Sequence, residues 1–190
     1  MGEPVVLEGL VTTLNDDGGI NAAPMGPHVD RELTQFTLKP FQGSRTLQNL
    51  LEHPEGVFHV VDDVELLARC AVGRTPAVLA TQPATSVQGH VLQDACRWYE
   101  FRARSIDTSQ PRAVIDCEIV AQGRLREFWG FNRAKHAVLE ASILATRVTL
   151  LSAEEIREQM RALATIVEKT AGDQERRAFE FLTEYIEGRL

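Results

Sequence analysis

The first two thirds of the chain are dominated by short runs of β-branched and aromatic residues, a pattern typical of β-strands. Residues 5–14 (VVLEGLVTTL) lead into the turn-forming run NDDGG at 15–19, which predicts a β-hairpin. We expect its second arm, residues 20–25, to leave the sheet at Pro24, because proline cannot donate to a sheet ladder. Further strands are predicted at 35–39, 57–61, 98–107, 112–120 and 124–128.

Helical periodicity appears twice between these strands and then fills the last third of the chain. The interposed helices are predicted at 46–53, with Leu47, Leu50 and Leu51 facing inward, and from a cap at 62 to about 72. Residues 73–95 predict a long excursion with little regular structure. The C-terminal helices are predicted at 133–146, 153–170 and 174–187, with Asn132, Ser152 and Asp173 as their caps.

This order of elements lacks the regular strand–helix alternation of a doubly wound sheet. It predicts an α+β, mainly β protein: a closed or partly closed antiparallel barrel over residues 1–130, followed by a helical hairpin over residues 131–190. A length of 190 residues suits one domain with such a helical appendage.

Composition and charge argue against several classes of function. The net charge of −7 argues against a sequence-independent hold on nucleic acid, and no apolar run is long enough to cross a bilayer. The beginning of the sequence does not resemble an export signal, so we expect a cytoplasmic location. The three cysteines (Cys70, Cys96, Cys117) fit neither a zinc site nor a disulfide framework and are interpreted as buried thiols. His59 is interpreted as a satisfied, half-buried histidine, and no metal site is predicted.

The most informative stretch is TLKPFQGSRTLQNL, residues 37–50, in which a strand runs through a glycine turn into a helix. Gly43 permits close approach of a ligand, Ser44 and Thr46 supply hydroxyls, and Arg45 supplies a planar fork of donors. With the free N–H groups of the helix start, and Lys39 nearby, these residues can hold a phosphate. In the alternative interpretation, Ser44 merely caps a surface helix and Arg45 is solvated.

Two other segments each allow two interpretations. The small residues of 22–26 (AAPMG) would let a flat ligand lie against the backbone, or they form a tight barrel corner. Arg133, Lys135 and His136, at the start of a helix, either reach an anionic ligand or pair with acidic residues elsewhere.

Blocks spread over nearly the whole chain resemble a known family. They are GLVTT at 9–13, NAAPMG at 21–26, FQGSRTLQNL at 41–50, VVDD at 60–63, GFNRAKHA at 130–137 and ILATR at 143–147. The sequence is similar to the flavin-reductase-like, FMN-binding split β-barrel proteins. More narrowly, it resembles an uncharacterised subfamily with a helical C-terminal extension.

The resemblance implies a homodimer that holds FMN near the subunit interface, with the phosphate at residues 43–46 and the isoalloxazine ring along residues 22–26. The residues that it assigns to the cofactor are Ala22, Ala23, Pro24, Met25, Gly26, Thr37, Lys39, Phe41, Gly43, Ser44, Arg45, Thr46, Asn49, Asn132, Arg133 and Lys135.

The implied function is an FMN-dependent oxidoreductase that moves hydride between NADH or NADPH and a small acceptor. No Ser-His-Asp or paired-carboxylate arrangement supports a hydrolase, and no catalytic side chain is assigned. Two alternatives stay open: an FMN-binding module without turnover, and a split barrel that binds another phosphorylated or pterin-like ligand.

Overall fold

The computed structural model describes residues 5–30 and 32–190. In this part of the chain the elements are β1 (Val5–Val6), β2 (Gly9–Leu14), β3 (Ile20–Met25), β4 (His28–Val29), β5 (Gln35–Leu38), α1 (Arg45–Glu52), β6 (Glu55–Val60), α2 (Val64–Ala71), β7 (Thr81–Pro83), β8 (His90–Leu92), β9 (Arg97–Asp107), β10 (Val114–Arg124), α3 (Arg133–Ala145), α4 (Ala153–Thr170) and α5 (Asp173–Glu187).

The main sheet is antiparallel and curls on itself. Its strand order is β1-β4-β5-β10-β9-β6-β2-β3. The two ends of this order belong to one hairpin, because two residues join β1 to β2 and two residues join β3 to β4. One half of this hairpin, β1 and β4, therefore stands at one edge of the sheet, and the other half, β2 and β3, stands at the opposite edge. This arrangement is expected for a split barrel, and the predicted fold class is confirmed.

The first hairpin differs from its prediction at Pro24. β3 continues through Met25, and Pro24 lies opposite Leu10 in the β2–β3 register. The prediction that this arm leaves the sheet at Pro24 is wrong, because β3 stands at the end of the strand order, and proline is tolerated in such an edge strand.

The predicted strand at 124–128 is also wrong. β10 itself runs on to Arg124, beyond the predicted end at 120. The N–H groups of Leu125 and Arg126 then bond to the carbonyl of Cys96, at 3.0 and 3.4 Å, so the chain turns away instead of starting another strand.

The barrel core is apolar and includes one face of α1. Phe36 makes edge-to-face contacts with Phe58 and Phe101, at centroid distances of 5.9 and 5.3 Å. Leu47 and Leu50 of α1 belong to this core, whereas Leu51 is 55% exposed, so its predicted inward position is wrong. The buried face of α1 is shifted away from Leu51 because the polar side chains of Thr46 and Asn49 are also buried.

The excursion at 73–95 is mostly irregular, as predicted, and contains only the short β7–β8 pair among the residues described. The buried carboxylate of Glu100 anchors it by accepting from the N–H groups of Thr85 and Ser86. His59 accepts from Leu92 N through Nε2 (3.1 Å), so its Nδ1 carries the hydrogen and donates to Leu10 O (3.2 Å). Burial lowers the pKa of His59 to about 4, and the ring is neutral and satisfied, as predicted, although it is fully buried.

Two compact units are distinguished by their internal contacts. One contains the described residues up to Val61 together with 78–127, and the other contains 62–77 and 128–190, so α2 groups with the C-terminal helices. In this helical unit, α3 packs against α2, α4 and α5. The predicted apolar face of α3 is confirmed, since Ala137, Val138, Ala141, Leu144 and Ala145 are all buried.

The cap of the last helix is one residue earlier than predicted. Gly172, rather than Asp173, is the N-cap, because the Glu175 carboxylate reaches back to accept from Gly172 N at 2.9 Å. Cys70, Cys96 and Cys117 are buried and form no disulfide bond in the described chain, as interpreted from the sequence. No helix of the described chain has the length and apolar character needed to span a membrane.

Candidate functional site

The turn before α1 requires a glycine. Ser44 N donates to Phe41 O (3.1 Å), and Gly43 has φ +74°, which together give a turn with a left-handed third residue. A Cβ added to Gly43 would meet no atom within 4 Å. The backbone of this turn is therefore accessible at the Cα atom of Gly43.

The start of α1 presents free donors. Ser44 Oγ accepts from Leu47 N (3.3 Å) and Ser44 O accepts from Gln48 N (3.1 Å). Within the described chain, the N–H groups of Arg45 and Thr46 have no hydrogen-bond partner. Ser44 thus caps the helix, as the simpler interpretation held, and the N–H groups of Arg45 and Thr46 lie at the positive end of the helix dipole.

Two positive side chains, Lys39 and Arg45, belong to the chain segment that carries these N–H groups. Arg45 is exposed and Lys39 is half-buried, and neither makes an ion pair or side-chain hydrogen bond with any residue that the structure describes. Lys39 lies immediately after β5, whose Leu38 belongs to the core, so strand alternation directs Lys39 to the outer face. Among the residues that the structure describes, no acidic side chain neutralises these two cations.

Sequence reasoning missed a third cation, Arg112. Phe41 and Arg112 form a β-bridge, and the Arg112 guanidinium carbon lies 3.9 Å from the centroid of the Phe41 ring. The two residues are far apart in the chain, and no local pattern in the sequence links them. Only the pairing of the β9–β10 turn with the loop after β5 brings Arg112 to this site.

Beneath the turn, a polar network ties α1 to the first hairpin. Asn21 Nδ2 donates to Thr46 Oγ1 and Thr13 Oγ1, both at 3.1 Å. Asn49 Nδ2 donates to Thr13 Oγ1 and Asn15 Oδ1, both at 2.9 Å. Asn49 and Thr46 are each 2% exposed, so these bonds fix the start of α1 next to the start of β3.

The segment 22–26 lies beside this helix start. Within the described residues, β3 pairs only with β2, so the backbone groups along its other edge have no ladder partner. Ala22 is buried, while Ala23, Pro24, Met25 and Gly26 are half-buried.

Two residues of this segment also contribute to the packing of the barrel. Met25 packs against the barrel core, and a Cβ on Gly26 would come within 2.7 Å of Val6 Cγ1. The corner interpretation therefore accounts for Gly26, while the open edge of β3 is compatible with a flat ligand.

Two further predicted cofactor residues have partners inside the barrel unit. Thr37 Oγ1 donates to Asp116 Oδ1 at 3.0 Å. Phe41 is 60% exposed and carries Arg112 on its ring. Both lie on the polypeptide that leads into the glycine turn, but only Phe41 is adjacent to it.

The predicted residues of the helical unit are largely occupied by contacts within that unit. Asn132 Oδ1 accepts from Lys135 N (3.0 Å) as the cap of α3. Lys135 Nζ donates to Asp62 O (2.7 Å) and pairs with Glu175 (2.7 Å). Burial raises the pKa of Glu175, but hydrogen bonds from Lys135 and the backbone outweigh it and leave the pKa below its usual value.

For Lys135, the structure therefore supports the interpretation in which the side chain pairs with an acidic residue. His136 Nε2 lies 3.9 Å from Glu140. Arg133 is exposed and makes no ion pair with a described residue, so it is available to a ligand or partner.

Family models cover almost all of these elements. Residues 7–126 match the model described as protein of unknown function (DUF447) N-terminal domain, and residues 132–184 match the model described as protein of unknown function (DUF447). The chain belongs to the DUF447 family. No curated protein matches its sequence.

Solved structures place the DUF447 chain among flavin-binding folds. It is similar to an FMN-bound DUF447 protein from Methanosarcina mazei, with 26% identity, coverage of 96% of this chain and 95% of the other, and a TM-score of 0.82. It is also similar to the 2-nitrobenzoate 2-nitroreductase of Pseudomonas fluorescens, with 26% identity, coverage of 65% and 66%, and a TM-score of 0.52.

The styrene monooxygenase flavin reductase of Pseudomonas putida S12 shares the fold alone, at 11% identity, 64% and 82% coverage and a TM-score of 0.50. The resemblance to flavin-reductase-like split barrels is thereby confirmed for the DUF447 chain.

Proposed function

We propose that this protein binds FMN with its phosphate at the start of α1, and that it acts as a flavin-reductase-like oxidoreductase. The observation that carries the proposal is the pair of free N–H groups at Arg45 and Thr46, beside the open turn at Gly43. Support comes from the FMN-bound DUF447 protein, which matches this chain over nearly its full length.

The residues at this turn fit a phosphate. A phosphomonoester is close to a dianion at neutral pH and offers three acceptor oxygens. The N–H groups of Arg45 and Thr46 supply donors, and the side chains of Arg45 and Lys39 supply positive charge. The Ser44 hydroxyl already accepts one bond, which leaves its own hydrogen for a ligand, whereas the buried Thr46 hydroxyl belongs to the network with Asn21.

The flavin ring is assigned to the open edge of β3. The network from Asn21 to Thr46 holds this edge next to the phosphate site, so one extended ligand can reach both. Unpaired backbone N–H groups on the edge would orient the carbonyl side of the ring and favour negative charge there. Bound FMN would supply a two-electron centre for exchange with a reduced nicotinamide and a small acceptor.

Two other functions use the same phosphate site. An FMN-binding module without turnover would need the same donors, and a different phosphorylated or pterin-like ligand would need the same turn. The fold alone does not choose between them, so ligand identity and turnover are tested separately.

The first test is a titration of flavin-free protein with FMN, followed by the visible spectrum and the flavin fluorescence. We expect one FMN per chain with a dissociation constant in the micromolar range or below, since two or three charge-assisted hydrogen bonds to the phosphate, each contributing roughly 1.5–3 kcal/mol, add to the contacts of the flavin ring. Riboflavin, which lacks the phosphate, should bind at least about tenfold more weakly. The absence of FMN binding would refute the proposal, and preferential binding of another phosphorylated cofactor would favour the last alternative.

We further propose that the protein is a homodimer, in which the partner covers the flavin. The outer strand β1 is consistent with this, because Val5 and Val6 are 65% and 47% exposed and form an apolar edge of the barrel unit.

Light scattering on purified protein should then give about twice the chain mass of 21.2 kDa. An interface of this kind should bury at least roughly 1,000 Å² of surface. A monomer at micromolar concentration, with FMN present, would contradict the dimer and the shared pocket together.

A further inference from the structure

The loop that carries the free donors is fastened to the turn between β9 and β10. Gln42 N donates to Pro111 O (3.3 Å), and Ala113 N donates to Pro40 O (3.0 Å). Gln42 Nε2 adds two bonds, to the carbonyls of Thr108 and Gln110, both at 2.9 Å. These four bonds fix the position of Arg112, between Pro111 and Ala113, relative to the glycine turn.

Arg112 is oriented by an aromatic ring. Its guanidinium carbon lies 3.9 Å from the centroid of the Phe41 ring. A guanidinium stacked in this way uses its face and keeps the N–H groups of its edge free for hydrogen bonds. No carboxylate of the described chain forms an ion pair with Arg112, although it is exposed in an acidic protein of net charge −7.

Phe41 brings this cation close to the free N–H groups. Phe41 and Ser44 are the first and last residues of one hydrogen-bonded turn, which places their Cα atoms within about 7 Å of each other. Arg45 and Thr46 follow immediately. The loop before α1 therefore carries two free N–H groups and the cations Lys39 and Arg45, and the bridge to Phe41 adds Arg112 from the β9–β10 turn. None of the three cations has an acidic partner among the residues that the structure describes.

We infer that Arg112, held by Phe41, is a third cation of the phosphate site and makes this site selective for a terminal phosphomonoester. The inference rests on the proposed function, in which that phosphate belongs to FMN. Three cations and two N–H groups match a dianion with three acceptor oxygens, whereas a neutral ribityl hydroxyl would leave the cations without a partner. Arg112 thereby favours FMN over riboflavin.

The test compares the affinities of FMN and riboflavin for wild-type protein and for the variants Arg112→Ala, Arg112→Lys and Arg97→Ala. Arg97 is a matched control because it is an exposed arginine without an ion-pair partner in the described chain, at the other end of β9. We expect Arg112→Ala to weaken FMN binding about tenfold and to leave riboflavin binding within about twofold of wild type. Arg112→Lys should weaken FMN binding by less than Arg112→Ala does, since lysine keeps the positive charge but lacks the planar guanidinium that stacks on Phe41.

The dependence of FMN affinity on salt gives a second measurement. Removing one cation that faces the phosphate should make FMN binding less sensitive to salt, whereas Arg97→Ala should leave that sensitivity unchanged. Wild-type protein that binds FMN, together with an Arg112→Ala variant of equal FMN affinity, would overturn this inference and leave the proposed function standing. An equal loss of FMN and riboflavin binding would also overturn it, and wild-type protein that binds no FMN would refute both.

Discussion

Replacing Arg45 with alanine should weaken FMN binding by about 10- to 100-fold and leave the fold intact. A charge-assisted hydrogen bond to a phosphate contributes roughly 1.5–3 kcal/mol, and each 1.4 kcal/mol is a factor of ten in affinity. Arg45 is exposed and makes no ion pair within the described chain, so its replacement removes no ion pair from the described barrel unit. Alanine also suits the first turn of a helix, and the Ser44 cap is unaffected.

Fluorescence titration with FMN measures this loss, and thermal unfolding without ligand measures the stability of each variant. Arg97→Ala removes the same charge at the far end of the long β9–β10 hairpin, roughly 30 Å along the strand from its turn. It should therefore change FMN affinity by less than about twofold. An Arg45→Ala variant that binds FMN as tightly as wild type would exclude the start of α1 as the phosphate site.

The start of α1 was predictable because its signals are local. Ser44 lies three residues before Leu47, whose N–H its hydroxyl accepts, and Gly43 supplies the left-handed angle that the turn requires. The helices of the last third were predictable for the same reason, since apolar spacing and caps lie within one or two turns of each other. Even there, the N-cap is Gly172 and not the predicted Asp173, and the Glu175 carboxylate in the next turn accepts from Gly172 N.

Features set by distant residues were not predictable. Strand order decides that Pro24 can stay in β3, and the burial of Thr46 and Asn49 by the first hairpin decides that Leu51 faces out. Lys135 is engaged by Glu175, which lies forty residues later in the chain. Arg112 reaches the glycine turn only through the bridge to Phe41. In each case the sequence shows the residue type but not the partner that determines its role.

Turnover is the remaining distinction between an oxidoreductase and a binding module. With oxygen excluded, NADH or NADPH should bleach protein-bound FMN at least about a hundredfold faster than it bleaches free FMN, because holding two reactants in a reacting geometry alone can contribute far more than this. Each nicotinamide delivers two electrons, so one equivalent of donor should bleach one equivalent of bound flavin.

The Arg45→Ala variant separates an effect on flavin binding from an effect on reduction. Because Arg45 is assigned to the phosphate and not to the ring, the variant saturated with FMN should be reduced at a rate within about threefold of wild type, although it needs more FMN to reach saturation. If reduction of the saturated variant also fell by orders of magnitude, the phosphate site and the ring site would not be separate as proposed.

If neither nicotinamide reduces wild-type bound FMN faster than free FMN, and no small acceptor is turned over, the protein is an FMN-binding module. Arg133, the exposed cation at the start of α3 that makes no ion pair with a described residue, is then the first side chain to replace in a search for a docking surface.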